Sequence, residues 1–298
     1  MEKMTEKNMR KALADSNYFA TLPPVNMLHV LTEDIIQNGD VKKKNFDIWL
    51  EAREKWPEIT QEEKMDEVIN ILKLARPTKA LKAFQKMGFM AFCMPRCFPI
   101  KKLMDKKSYY AIIDNFDNCK NPDLSFRLNI LMFPFDPKAT RMTMVESNLD
   151  PETVEWMMQT IENYLDFLQV KQLSALKKFL KDFGKEFYYY IDDYAQAIFD
   201  ITRFNEFRRP DSRSAVNTMI KRGEPFEPGD LDITRQELID AGAESEAEVD
   251  ALIDMLLDYC LKKPDNNIKP LLLAEAKKYP QSKIDKRVKL LNKKKKAL

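Results

Sequence analysis

Basic side chains cluster between residues 203 and 222 in a pattern that could bind phosphate groups. The members of this cluster are Arg203, Arg208, Arg209, Arg213, Lys221 and Arg222. The planar guanidinium of arginine can make two parallel hydrogen bonds to a phosphate, which the ammonium of lysine cannot do. The cluster therefore predicts a surface that neutralises a row of phosphates, as nucleic-acid-binding proteins do. The alternative is a solvated, charged face without a ligand.

A second basic segment runs from residue 262 to the end of the chain. It has thirteen basic residues and three acidic ones, a local net charge of +10, whereas the whole chain carries +2. We expect four of its lysines to contact RNA, namely Lys262, Lys263, Lys277 and Lys278. The four lysines at 293–296 are expected to form a solvated, disordered end. Residues 230–258 hold ten acidic residues and one basic residue. The acidic helix expected at 244–258 should face away from RNA or pack against the basic end.

The scarcity of histidine, glycine and cysteine excludes several kinds of metal, phosphate-binding and catalytic site. The single histidine, His29, excludes two-histidine metal sites and histidine-aspartate clusters. The six glycines are never closer than six residues, which excludes the glycine-rich loops that hold phosphates. Cys93 and Cys97 lack a second pair, so we expect reduced thiols and no zinc. Asp192 and Asp193 are neighbours, and adjacent side chains of a helix are not expected to converge on one point. The sequence therefore predicts no catalytic residue, no metal and no cofactor.

The elements that must position these residues are predicted to be helices throughout, because apolar residues recur at spacings of three and four. The fold class expected is all-α. No apolar run approaches the roughly 18 residues that a membrane span requires. The first residues lack the apolar core of a signal peptide. We therefore predict a cytoplasmic protein without membrane contact.

Several helix ends can be predicted from capping patterns. Thr60 and Glu63 form a capping box, after which Met65, Val68, Leu72 and Ala75 should share one buried face. Thr78 is expected to cap the next helix. Gly88 should end that helix, and Gly184 should end another. Asp150 followed by Pro151 predicts the start of a long amphipathic helix.

Prolines and glycines mark the candidate boundaries between domains. They gather at residues 95–99, 134–137 and 210–228, and the last group is the strongest candidate. The predicted division is a first helical domain at 1–95, a second at 96–209 and a third at 210–298 that ends in the basic segment. A helical solenoid was the alternative, but the chain has no fixed repeat period.

Four segments, in this order, resemble a known family. They are EITQEEKMDEVINIL (58–72), RPTKALKAFQKMGFMAFCMP (76–95), LSALKKFLKDFGKEFYYYIDDYAQA (173–197), and DLDITRQELIDAGAESEAEVDALIDMLLDY with the residues after it (from 230). The chain resembles the C-terminal two-thirds of the class II tRNA nucleotidyltransferases, which are CCA-adding enzymes, and of bacterial poly(A) polymerases. The resemblance implies an elongated arrangement of neck, body and tail helices that holds tRNA.

The chain departs from this family where the family's catalytic residues would lie. The family's catalytic head carries Gly-Ser and Asp-x-Asp, but no glycine here precedes a serine. The one Asp-x-Asp, Asp230 to Asp232, is expected to start a helix. In the counterpart of the family's base-reading motif, Lys7 replaces the aspartate, which leaves Arg10 as a weak nucleotide-binding candidate. Phe133 and Pro134 occupy the positions of the ligands in the phosphohydrolase element of some members.

These observations predict an RNA-binding module for tRNA or a tRNA-like RNA that lacks its own polymerase site. It could act alone or as a subunit beside a separate nucleotidyltransferase head chain. The first alternative is a headless scaffold for protein interactions, in which the aromatic residues at 187–194 are expected to be core. An autonomous enzyme is the other alternative, and the sequence offers no catalytic constellation for it.

Overall fold

The computed structural model describes residues 4–52, 59–98 and 105–295, with side chains up to residue 293. Within these residues the chain is all-α and has no strand, which confirms the expected fold class. In chain order the first helices are α1 Glu6–Ala14, α2 Ser16–Phe19, α3 Pro24–Asn38, α4 Lys43–Ala52, α5 Gln61–Leu72, α6 Thr78–Lys86, α7 Phe89–Cys93, α8 Lys106–Asn115, α9 Leu124–Met132 and α10 Pro137–Glu146. They are followed by α11 Pro151–Leu168, α12 Leu173–Thr202, α13 Arg213–Lys221, α14 Arg235–Asp240, α15 Glu246–Lys262, α16 Lys269–Ala276 and α17 Gln281–Lys295.

The chain divides into two compact units. The first comprises Met1–Leu165 and Tyr194–Arg208, and the second comprises Asp166–Asp193 and Arg209–Leu298. Each boundary between them falls inside α11 or α12, or directly before α13. The division into three domains at 1–95, 96–209 and 210–298, and the neck, body and tail arrangement, stay predictions. None of the helices in the described ranges combines the length and the apolar character that crossing a membrane would require.

The first unit has a core of aromatic and aliphatic side chains. The ring centroids of Trp49 and Phe89 lie 4.4 Å apart, and those of Tyr164 and Tyr194 lie 5.5 Å apart. Both pairs have edge-to-face geometry. The capping box of Thr60 and Glu63 is confirmed in both directions. The buried face that follows it includes Met65, Val68 and Leu72, as predicted. Ala75 was wrongly placed on this face, because α5 ends at Leu72 and Ala75 is exposed.

Helix ends in this unit confirm some predictions and correct others. Gly88 follows the end of α6 with a φ of 83°, a left-handed conformation that favours glycine. Asp150 caps α11, since its carboxylate accepts a hydrogen bond of 2.8 Å from the backbone of Thr153. Thr78 does not cap α6 but is its first residue. Its hydroxyl instead accepts the backbone N–H of Asp117 at 2.8 Å, a partner that lies 39 residues away.

The second unit begins with the end of α11 and the first part of α12. Gly184 has a φ of 83° and a ψ of 168°, which interrupts α12 and confirms the predicted break. At the break, the backbone N–H of Lys185 donates a 3.2 Å hydrogen bond to Glu227. After the break, Phe187, Tyr188 and Ile191 are buried, as expected for core residues. The segment 210–228 was predicted as a break but contains α13.

The core of the second unit is formed mainly by α15, with α14, α16 and α17 packed around it. Thr234 and Glu237 form a capping box at the start of α14, and Ser245 caps α15. The prediction that Asp230 and Asp232 start a helix is wrong. The α-helix that follows, α14, begins at Arg235 with Thr234 as its cap. The carboxylate of Asp230 takes part in a capping box of a short 3-10 turn, where it accepts the backbone N–H of Glu227 at 3.0 Å. Asp232 instead accepts the backbone N–H of Lys269 at 3.0 Å, from a segment 37 residues away.

Candidate nucleic-acid interface

Helix α17 presents an apolar face to the core and a row of lysines on its other side. Ile284 is buried, and Val288 and Leu291 pack against the same cluster, at the spacing of three and four that a helix requires. Interleaved with and next to these apolar positions the sequence has four exposed lysines, which are Lys283, Lys286, Lys289 and Lys293. The amphipathic pattern of the helix therefore fixes which side of it carries positive charge.

These lysines border a cavity of about 780 Å³ that α15 and α17 share. Five lysines line it, and they are Lys262, Lys283, Lys286, Lys289 and Lys293. In the described part of the chain, no carboxylate lies within ion-pair distance of any of the five ammonium groups. A cavity with five uncompensated cations has a strongly positive local potential, which attracts polyanions.

The two carboxylates in this cavity are already bonded to other cations. Asp258 lies 2.5 Å from the ammonium of Lys181 and 2.6 Å from the guanidinium of Arg287. Glu275 pairs with Lys278 at 3.1 Å. Their negative charges are therefore balanced by residues outside the set of five lysines. The positive charge of the set remains available to a ligand.

Arg287 joins α17 to the acidic helix α15. Its guanidinium lies 2.7 Å from a carboxylate oxygen of Asp254 and 2.6 Å from one of Asp258. Lys181, whose side chain is only 10% exposed, bonds the same two aspartates from the first part of α12. One of the two expectations for the acidic stretch is thus confirmed, since it packs against the basic end. The four charges fix the position of α17 on the unit.

A second, larger cavity of about 960 Å³ lies between the first part of α12, α15 and α17. Its mouth carries two leucines with large exposed fractions, 56% for Leu173 and 47% for Leu290. Lys177 also lines it but is paired with Glu224 at 2.7 Å. This cavity shares Asp258, Lys262, Arg287 and Leu290 with the first.

Two arginines of the predicted cluster are bonded inside the second unit. Arg209 and Arg213 both contact the carboxylate of Asp192, at 2.8 Å and 2.9 Å, and that carboxylate is fully buried. Arg213 also pairs with Asp193, and a hydrogen bond to that residue raises the pKa of the guanidinium. The expectation that Asp192 and Asp193 do not converge is wrong, because the long side chain of Arg213 reaches both. Whether either arginine also contacts RNA stays a prediction.

The other four members of this cluster are exposed and lie in different units. Arg203 and Arg208 belong to the first unit, whereas Lys221 and Arg222 belong to the second. Arg203 has a left-handed φ of 56° and pairs with Asp200 at 3.3 Å. Lys221 and Arg222 end α13, where cations interact favourably with the helix dipole. A cluster that is continuous in sequence is thus divided in the fold.

The predicted lysines of the C-terminal segment are all exposed, but they have different surroundings. Lys262 lines the cavity described above, and Lys263 follows it at the end of α15. Lys277 and Lys278 follow the end of α16. The prediction of a disordered end is wrong as far as residue 295, because α17 continues to Lys295; Lys296 lies outside the described residues.

Sequence reasoning missed the lysines of α17 itself. The signal was present in the spacing of Lys283, Lys286 and Lys289, three residues apart, between the apolar positions 284, 288 and 291. Such a pattern is typical of an amphipathic helix with one basic side. The described structure shows that it belongs to one.

The remaining nucleotide-binding candidate lies in the first unit. Arg10 is exposed and pairs with Glu6, four positions earlier on α1. Glu67 binds the single histidine, since Nδ1 of His29 donates to its carboxylate at 3.0 Å. Among the described residues there is no group of three or more metal-ligating side chains.

Comparison of the chain with protein-family models, with curated proteins and with solved structures found no match in any of the three. The function is therefore argued from the all-α fold, the lysine-lined cavity and the residues that surround it.

Proposed function

We propose that this chain is an RNA-binding helical module that holds tRNA or a tRNA-like RNA and has no polymerase site of its own. The observation that carries the proposal is the cavity of α15 and α17, where five lysines without carboxylate partners lie together. Phosphate is the ligand group that such a set of cations would neutralise. The resemblance to the C-terminal part of tRNA nucleotidyltransferases supports RNA as the polyanion.

The division of charge in the second unit also supports a polyanion ligand. Asp254 and Asp258 of α15 are occupied by Lys181 and Arg287. These two carboxylates therefore do not neutralise the five lysines that line the cavity. Holding five like charges together without partners costs stability, and a ligand that carries phosphates would remove that cost.

In this proposal the chain binds the RNA and does not catalyse nucleotide addition. Nucleotide addition would then need a separate head chain, which would make this protein one subunit of a split CCA-adding or poly(A)-adding enzyme. The predicted nucleotide contact of Arg10 is not needed for RNA binding in this proposal. Arg10 pairs with Glu6.

The test is the binding of labelled tRNA as a function of salt concentration, followed by fluorescence anisotropy. With five phosphate contacts, the slope of log affinity against log salt should be about −3.5 to −4.5. Affinity should then fall about 100-fold or more between 50 mM and 200 mM salt. Polyglutamate of similar charge is the control for charge alone and should bind more weakly. Absence of tRNA binding at 50 mM salt would contradict the proposal.

A protein-interaction scaffold is the second candidate, and the leucine-lined cavity favours it. Leu173 and Leu290 are large apolar side chains that the second unit leaves exposed at one opening. If this opening binds protein, Leu173→Ser would abolish association with a partner and leave tRNA binding unchanged. The scaffold would replace the RNA-binding proposal if tRNA failed to bind under every salt condition.

A further inference from the structure

Two tyrosine rings line the same cavity as the five lysines. Tyr259 comes from α15, and Tyr279 comes from the segment between α16 and α17. Both rings are partly buried and pack against the core of the second unit. The hydroxyl of Tyr279 donates to the backbone carbonyl of Met255 at 3.4 Å, and burial raises the pKa of Tyr279 to about 12. The cavity thus combines two aromatic rings that pack against the core with five exposed lysines.

The shape of the cavity determines which form of RNA could reach these rings. Its volume of about 780 Å³ is in the range of small-molecule sites, roughly 300–1,000 Å³. The bases of a duplex are stacked inside the helix, so a duplex could place phosphates only on the rim lysines. An unpaired nucleotide can turn its base outward and enter. Aromatic rings next to basic groups are the combination that binds unpaired bases by stacking.

We propose that this cavity binds an unpaired nucleotide of RNA, with its base against Tyr259 or Tyr279 and the neighbouring phosphates on the lysines of α17. This inference rests on the proposed RNA binding and adds the form of RNA that is recognised. The rim lysines contribute affinity that depends on salt, because they contact phosphates. The rings contribute affinity that depends on an accessible base and changes little with salt.

The experiment compares two RNAs of equal length and equal phosphate number. One is a hairpin with an unpaired loop that carries 2-aminopurine, and the other is fully paired. We expect the hairpin to bind about tenfold more tightly, the gain from stacking one base on an aromatic ring. Binding should also quench the 2-aminopurine fluorescence, which reports stacking directly and not merely contact with phosphates.

Substitutions of the rings separate stacking from packing. Tyr259→Leu and Tyr279→Leu should reduce hairpin binding, and at least one of them should remove most of the difference between the two RNAs. Tyr259→Phe and Tyr279→Phe keep the rings and should bind as the original protein does. Circular dichroism checks that each variant is folded. If Tyr279→Leu does not fold, Tyr259→Leu and the fluorescence of the unchanged protein decide the result.

The outcomes distinguish this inference from the proposed function. Equal affinity for both RNAs, without quenching and without an effect of the leucine variants, would overturn the unpaired-nucleotide site and leave general RNA binding intact. Failure of both RNAs to bind at low salt would overturn the proposed function itself. Tighter binding of the paired RNA would show that the rim lysines alone recognise a duplex, and it would also overturn this inference.

Discussion

Nη1 of Arg209 lies 2.8 Å from both carboxylate oxygens of Asp192, a residue whose side chain is completely buried. Arg213 adds a third contact to the same carboxylate at 2.9 Å. A buried carboxylate without partners would be very unfavourable, so these two arginines stabilise the folded protein by pairing with Asp192. Charge reversal of Arg209 or Arg213 would therefore be a poor test of RNA binding, because it would disturb the fold.

The first prediction concerns this ion pair. Arg209→Ala should lower the free energy of unfolding by about 3 kcal/mol, near the lower end for loss of one partner of a buried pair, because Arg213 remains. Urea denaturation followed by circular dichroism measures the change. Arg208→Ala is the control, since Arg208 is exposed, and its effect should stay within about 0.5 kcal/mol. Equal losses of unfolding free energy in the two variants would argue against stabilisation of the fold by Arg209.

The second prediction concerns the lysines of α17. The double substitution Lys286→Gln and Lys289→Gln should make the salt dependence of tRNA binding shallower by about two units of slope, one for each lost phosphate contact. Affinity at low salt should fall by about tenfold or more. Salt titrations of labelled tRNA give both quantities.

A matched control removes the same charge elsewhere. Lys43 and Lys44 are adjacent, exposed lysines of α4 in the first unit. Lys43→Gln with Lys44→Gln should leave both the slope and the affinity nearly unchanged. A similar loss in both double variants would mean that net charge, and not the cavity, determines binding.

The third prediction concerns the pH dependence of stability. The hydrogen bond from His29 to Glu67 raises the pKa of the imidazole, and the charges of Glu67 and Glu33 add to this, although burial opposes it. A raised pKa in the folded state means that this stabilisation is fully present below the unfolded value, about 6.5, and is lost as pH rises through the folded value. The protein should therefore be more stable to urea at pH 6 than at pH 8.

His29 is the one side chain whose ordinary pKa falls in that window, because the chain has a single histidine. In His29→Gln the stability difference between pH 6 and pH 8 should largely disappear. Glu67→Gln should also reduce it, since the main cause of the raised pKa is then removed. A difference that persists in both variants would exclude this pair as its source.

The fourth prediction concerns the capping box at the start of α5. Thr60 accepts the backbone N–H of Glu63 at 3.2 Å, and the carboxylate of Glu63 accepts that of Thr60 at 2.8 Å. Thr60→Ala should cost about 1 kcal/mol of unfolding free energy, because the backbone N–H of Glu63 loses the hydroxyl that accepts it. Thr60→Ser keeps the hydroxyl and should cost only a small fraction of this. Thermal or urea unfolding distinguishes the two, and equal costs would rule out the cap as the cause.

Predictions from the sequence succeeded where the relevant partners are close along the chain. The cap of Thr60 and the break at Gly184 depend on local geometry, and both are confirmed. The predictions for Thr78 and Asp232 failed because their partners, Asp117 and Lys269, lie more than thirty residues away. A hydroxyl or carboxylate near a helix start gives the same sequence pattern whether it caps that helix or bonds to a distant segment.

The candidate site shows the same difference between features set by neighbouring residues and features set by distant ones. The sequence by itself determined the all-α fold, the positions of many helix ends and the excess of positive charge after residue 262, since these depend on composition and on contacts within about four residues. Only the tertiary structure decided which cations remain available. Arg209 and Lys286 carry the same charge in the sequence, but a buried carboxylate 17 residues away occupies Arg209. No such partner reaches Lys286 in the described residues, and the nearby aspartates Asp254 and Asp258 of α15 are bonded to Lys181 and Arg287.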